Sequence, residues 1–458
     1  MAKLWLVDDE SAGLPPTIVQ FGALRGLEQE WCSNDETLAH LPLGPGSLIA
    51  LRFDRLRRLS AAAQAALQTG LGNGATLYVR GGAAPGRPIA MGSFHATELA
   101  IDAHSDATSY RLASHPMLPS ALAGEHAGGA FQIPGVRELP AIFEPILLAD
   151  EGTRQRASIF ALRRGAGAAI FDLTADDNTG EQPIVFRLAD PGRRIGNLGA
   201  LLAVDHATNR EVWRPVAFNL TLDDRPANYD YLNQAALSRF LDHVQQRLPG
   251  AHVDFSWTPN QTHPSRRYVE IQKQFAAGFL WHGLARHVPH DKLEDPEAEI
   301  AEGLRLVATI QSRYGVHFQP VMVFPFERAD DRCIEVLQRH GFCAMGVSLM
   351  AARPEASTLP QYLRYSLVQR AASRGVAILR RQAIERLPRD LMLAQAALGL
   401  PVLSLAHPND FALKRLPRPW ARDSYADLDR VLEFAAAKAL RPCSMEQIAA
   451  EIPKPFPA

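Results

Sequence analysis

The chain has 458 residues, 47% hydrophobic and 21% charged, with a formal net charge of −1. That length calls for two domains, or three at most, and the near-neutral balance excludes charge-driven binding to nucleic acid or an anionic membrane. No apolar run approaches the roughly 18 residues a membrane span needs. Four scattered cysteines without a CxxC pair (Cys32, Cys333, Cys343, Cys443) supply neither a structural zinc site nor a disulfide framework.

The opening MAKLWLVDDE is too short for a signal-peptide core, so a cytoplasmic protein is expected. Short apolar runs then alternate with a helical stretch: KLWLV, SLIALRF, the alanine-rich SAAAQAALQTGL, then ATLYVRGG. Strand, helix, strand in this order marks a parallel α/β layer. FEPILLAD, ASIFALRRG and AAIFDLT read as further strands, joined by glycine and aspartate turns. DDNTGEQP is a polar loop, and DHATNREVWRP marks a junction at about residue 206, giving domains of 1–205 and 206–458.

Beyond the junction the rhythm is regular. WRPVAFNLTL, HVDFSW, GFLWHG, QPVMVFPF, AMGVSLM, GVAILRR and PVLSLAHP read as strands, with helices such as LNQAALSRFLDHVQQRL and PEAEIAEGLRLVATIQSRY between them. Repeated units of this length close into a β/α barrel or build a doubly wound sheet, and in both the C-terminal strand ends carry the chemistry.

Three segments of interest fall at such ends. Asp223 and Asp224 follow VAFNLTL directly, where two adjacent carboxylates need a cation or a proton to offset their repulsion; the same pair also occurs in solvated turns. GFLWHG ends in His282, and the loop after it adds His287 and His290. Imidazoles with a carboxylate make an ordinary Zn²⁺ site, whereas a His-rich loop by itself is also common surface decoration. His407 closes a third strand. Together they offer a base, a metal site and an acid, which is hydrolytic chemistry.

With these residues in place, the region from about 210 to 450 resembles the polysaccharide deacetylase family, carbohydrate esterase family 4. The family's T-F-D-D motif is matched by Thr221-Leu222-Asp223-Asp224, and its Leu-x-His by Leu405-Ala406-His407. Its second motif has two histidines four apart; here His282 and His287 are five apart, which leaves His290 as an alternative to His287. Its Arg-Pro-Pro-Tyr element appears as Phe324-Pro325-Phe326, without the arginine that in the family orients the base, and Arg328 is the nearby substitute.

The resemblance implies a distorted β/α barrel that removes an acetyl group from an N-acetylated sugar in glycan or surface-polysaccharide biosynthesis. By it Asp223 is the base, His407 the acid, the Phe326 N–H an oxyanion donor, and Asp224, His282 and His287 the ligands of a divalent metal, with Zn²⁺ foremost. Trp257 and Trp281, near strand ends, are candidates for stacking on a sugar ring or for packing. The missing arginine and the longer histidine spacing favour a second reading, a catalytically silent carbohydrate-binding or scaffold protein.

In the first half, Asp8, Asp9 and Asp54 mimic the acidic pocket of a response-regulator receiver, but residues 4 to 272 contain no lysine to hold the phosphoryl group. RLSAAAQAALQTGLGNGATLYVRGG is more similar to the glutamine-amidotransferase-like, flavodoxin-type parallel sheet. After TLYVR the sequence offers Gly81, Gly82 and two alanines rather than a nucleophile, and Cys32 lacks the glycines of a tight elbow, so that resemblance implies a non-catalytic accessory domain. His95 and His104 have no carboxylate pattern and read as structural.

Overall fold

The computed structural model describes residues 2–7, 18–19, 21–22, 25–81, 88–102, 109–118, 122, 124–128, 134–151, 154–174, 189, 191–208, 216–223, 234–261, 266–275, 277–285, 288–348, 376–407, 411 and 424–451. The chain divides into two units, Met1–Arg214 and Pro215–Ala458.

In the first unit the apolar runs become β1 (Lys3–Val7), β2 (Glu28–Trp31), β3 (Ser47–Arg52), β4 (Thr76–Arg80), β5 (Ile101–Asp102), β6 (Ser109–Leu112), β7 (His126–Gly128), β8 (Gly135–Val136), β9 (Glu144–Glu151), β10 (Arg154–Arg164) and β11 (Gly167–Asp172). The main helices are α1 (Asp35–His40), α2 (Ala61–Gly72) and α3 (Pro191–Ala207). Ser60 caps α2 by accepting from the Ala63 N–H at 3.2 Å, which satisfies one of the donors a helix start leaves open.

The sheet order is β2-β1-β3-β4-β11-β10-β9-β6-β7, with β8 pairing β10 and β5 pairing β8. The expected parallel sheet holds from β2 to β11 and fails beyond it, where the pairings are antiparallel. The cause is local: β10 turns into β11 through Gly165, whose φ of +61° suits a glycine, and two turn residues leave no room for a crossover helix. Along β4 the side chains alternate. Leu77 and Val79 join the core with Leu67 and Leu71 of α2, while the Tyr78 hydroxyl donates to Asp172 Oδ2 at 2.9 Å and Arg80 Nη2 to the Gly196 carbonyl of α3 at 2.8 Å. The junction expected near residue 206 falls inside α3, which packs on β3, β4 and β11, so the division comes later, at Arg214.

The second unit contains β12 (Ala217–Leu222), α4 (Gln234–Arg247), β13 (Val253–Trp257), α5 (Arg266–Gln274), β14 (Gly278–His282), α6 (Pro296–Tyr314), β15 (Phe318–Val323), α7 (Asp331–Arg339), β16 (Ala344–Ser348), β17 (Ala377–Ala383), α8 (Arg389–Ala397), β18 (Val402–Ala406), α9 (Ser424–Ala437), β19 (Arg441–Pro442) and α10 (Met445–Glu451). Boundaries follow local chemistry: Asp295 caps α6 through the Ala298 N–H at 3.0 Å, Pro296 opens it, and Gly315 ends it at φ +61°.

Seven parallel strands, β12 to β18 in chain order, form a closed ring, because β12 pairs with both β13 and β18. β19 lies along the first residues of β12, opposite Ala217 and Phe218. Inward positions such as Leu280, Val321, Val323, Leu379 and Leu403 form a core that Met445 and Ile448 of α10 join. Outward positions pack under the helices, among them Trp257 and Phe279, whose ring centroids are 4.8 Å apart. Among the described residues, no helix is long and apolar enough to cross a membrane.

The barrel floor is polar and closed. Asp254 is fully buried; its Oδ1 accepts from His252 Nε2 at 2.8 Å and Gln319 Nε2 at 2.6 Å, and its Oδ2 from Asn219 Nδ2 at 2.8 Å and the Met445 N–H at 2.9 Å. Gln319 Oε1 takes the next amide of α10, from Glu446, at 2.9 Å. One carboxylate thereby ties three strands to the C-terminal helix. Removing it leaves buried donors unmatched, so Asp254→Ala is expected to lower unfolding free energy by about 3–5 kcal/mol in chemical denaturation. A loss below about 1 kcal/mol would show that the floor does not depend on this carboxylate.

Candidate active site

The ring delivers its polar side chains to one end. Asp223 follows β12, Ser256 lies near the end of β13, His282 ends β14, Arg381 sits inside β17, and His407 follows β18. The Asp223 N–H donates to the Ala406 carbonyl at 2.8 Å, which carries the β12–β18 ladder one residue past the strand and sets Asp223 beside His407.

Asp223 is buried, and its two side-chain hydrogen-bond partners among the described residues meet one oxygen. Arg381 Nη1 donates to Oδ1 at 2.7 Å and Ser256 Oγ donates to the same atom at 3.0 Å. Burial pushes the carboxyl upward, but the charge and hydrogen bond of Arg381, helped by His282 and His407, outweigh it and hold Asp223 below its ordinary value. Asp223 is therefore a carboxylate at neutral pH.

His282 is 6% exposed, and its Nδ1 lies 3.2 Å from the Val323 carbonyl. A carbonyl only accepts, so Nδ1 carries the proton; in a neutral ring the lone pair is then on Nε2. Thr258 Oγ1 donates to the His282 carbonyl at 2.7 Å, fixing the backbone from the neighbouring strand. Asp224 and His287 lie outside the described residues, and among the described residues no group of three His, Cys, Asp or Glu could hold a metal ion. His290 is fully buried, with its ring edge-on to Phe324 at 5.3 Å, so it packs the loop against the end of β15.

The turn after β15, Pro325–Glu327, carries Phe326 at φ +58° and ψ 10°, left-handed backbone that a non-glycine residue seldom adopts. Phe326 is 62% exposed. The surroundings hold the turn: the His290 N–H donates to the Arg328 carbonyl at 3.0 Å, and Arg328 grips both oxygens of Asp291, with Nη2 to Oδ2 at 2.6 Å and Nε to Oδ1 at 3.1 Å. Arg328 is thus committed to Asp291 and is not the substitute for the motif arginine that its sequence position suggested. For Trp257 and Trp281 the packing alternative holds. They are 0% and 3% exposed and face Phe279, Phe318 and Phe342 on the outside of the barrel, so they are packing residues.

Of the residues expected to act, the structure brings Asp223, His282 and His407 to the same end of one barrel. Sequence reasoning missed Arg381 and Ser256. The available signal was an arginine pair within GVAILRRQA, a strand otherwise apolar enough to be buried on both faces.

The sequence matches no family model, and it matches no curated protein at a significant level. Among solved structures, the fold is similar to that of Agd3, described as a novel carbohydrate deacetylase, with a TM-score of 0.57 at 9% identity over 98% of this chain and 86% of that one. A family 4 carbohydrate esterase from Streptomyces lividans gives 0.31 at 15% identity, over 50% of this chain and 92% of that one. A family 4 pseudoenzyme from Bacillus anthracis gives 0.32 at 10% identity, over 52% of this chain and 66% of that one. The first likeness shows a deacetylase-like fold, and any chemistry must be argued from the residues.

Left-handed backbone costs an L residue about 1–2 kcal/mol. Phe326→Gly is therefore expected to leave thermal stability unchanged or to raise it by up to about 1 kcal/mol. A loss greater than about 1 kcal/mol would show instead that the ring is a packing element.

Proposed function

We propose that Pro215–Ala458 is a divalent-metal-dependent hydrolase that removes the acetyl group from an N-acetylated sugar, in assembly of a glycan or surface polysaccharide. The observation that carries this reading is the Asp223 carboxylate, anchored through one oxygen by Arg381 and Ser256, with His282 and His407 adding to its field. A similar fold in a protein described as a carbohydrate deacetylase supports the choice of reaction.

The donor chemistry at the mouth fits a zinc ion. His282, with Nδ1 committed to the Val323 carbonyl, turns Nε2 to the mouth as a ligand, because a hydrogen bond on the other ring nitrogen fixes the orientation of an imidazole. Asp224, next in sequence to the base, and His287 complete the set we assign. When bound, such an ion supplies Lewis acidity towards the acetyl carbonyl and makes water easier to deprotonate.

The protein groups do the rest. Asp223 takes the proton of the attacking water, whose oxygen bonds to the carbonyl carbon. The Phe326 N–H donates to the oxygen on which negative charge develops, a contribution of about 3 kcal/mol for one oriented donor. His407, protonated, gives its proton to the nitrogen as the C–N bond breaks, leaving acetate and a free amine.

For Met1–Arg214 we propose a non-catalytic accessory domain of amidotransferase-like type. The parallel order β2-β1-β3-β4-β11 supports it, being the order of flavodoxin-like sheets. Cys32 is buried and burial pushes its thiol up, which is the reverse of an activated nucleophile.

The test is acetate release from N-acetylated hexosamine oligomers in the presence of Zn²⁺. The wild-type protein is expected to release acetate, and Asp223→Asn to slow release by about 10²–10⁴-fold. A folded wild-type protein that releases none from the whole panel would reject the enzyme reading in favour of the silent carbohydrate-binding one.

A further inference from the structure

The third-motif arginine is missing from the end of β15, and Arg328, the nearest replacement in sequence, is spent on Asp291. The barrel nonetheless holds a guanidinium against the base. Along β17, Ala377 and Leu379 point into the core, and Arg381 continues that inward face with its side chain 3% exposed. An arginine does not sit in such a place without an anion to meet it, and its anion is Asp223, just past the end of β12 and two strands round the ring from β17.

We infer that Arg381, seconded by Ser256 and given room by Gly346, is the positioning residue that decides which oxygen of Asp223 faces the reaction. Both donors end on Oδ1, and among the described residues no hydrogen bond reaches Oδ2. A carboxylate pinned through one oxygen by two donors from different strands cannot swing about its Cβ–Cγ bond, and the second oxygen is left to accept a proton. The Arg328–Asp291 pair shows the contrast: there both carboxylate oxygens are occupied, as suits a pair that only holds a turn.

Gly346 supplies the space. It lies on β16, beside β17 in the ring, and a Cβ built there would stand 2.9 Å from Arg381 Nε and 3.2 Å from the nearest atoms of Met445 and Val323. Its backbone is not in the left-handed region, so the glycine is needed for volume and not for conformation. Ser256 adds the second donor from β13, and the geometry calls for a hydroxyl there.

This inference rests on Asp223 being the base, and the experiment separates the two. With the N-acetylhexosamine oligomer that gives the fastest acetate release, kcat and KM are measured for Arg381→Met, Arg381→Lys, Gly346→Ala, Ser256→Ala and Asp223→Asn, each checked for folding by circular dichroism and melting. Arg381→Met is expected to lower kcat about a hundredfold with KM nearly unchanged. Arg381→Lys, which keeps a cationic donor, should recover part of that loss. Gly346→Ala should lower kcat with both charged groups still present, which keeps the inference testable if Arg381→Met fails to fold. Folded Arg381→Met and Gly346→Ala with wild-type kcat would overturn the positioning role while a dead Asp223→Asn left the base in place; an active Asp223→Asn would overturn the base and the inference with it.

Discussion

The interior of a closed ring of parallel strands is largely shut off from water, so each polar group placed there needs a partner within the protein. This protein meets that constraint twice. At the floor, Asp254 gathers donors from β12, β15 and the start of α10, and the C-terminal segment becomes the seal of the barrel. At the mouth, Asp223 is matched by Arg381 and Ser256. Between the two lies an apolar band built around Leu280, Val321 and Leu379.

The two networks differ in a way that bears on chemistry. Asp254 has both oxygens engaged and belongs to the scaffold. Asp223 is held by one oxygen and stays ionised although buried, because the Arg381 charge exceeds the penalty of burial. The neighbouring turn shows the same division of labour. Arg328, Asp291 and the buried ring of His290 hold a rigid support, and on that support Phe326 takes a backbone conformation that would not persist unaided.

Much of this was legible in the sequence because it is written locally. TLDD, GFLWHG and LSLAHP each place a polar residue directly after an apolar run, and strand ends in parallel α/β units are where such residues converge. The strands of the barrel followed from their apolar runs. The partner of Asp223 was not legible, since Arg381 is 158 residues away and its inward direction is set only when the ring closes. Trp257 and Trp281 were ambiguous for the related reason that sequence does not say which face of a doubly buried strand looks inward. In the first unit, the antiparallel half of the sheet depended on the two-residue turn at Gly165.

In the function proposed above, the barrel mouth combines an anchored base with a metal site. Crystals grown with Zn²⁺ and diffracted at the zinc absorption edge test it most directly. One anomalous peak is expected, within about 2.0–2.2 Å of His282 Nε2 and of an Asp224 oxygen, with Asp223 still bound through Oδ1 to Arg381. A peak ligated by Asp223 in place of Asp224, or no peak at the mouth at saturating zinc, would contradict it.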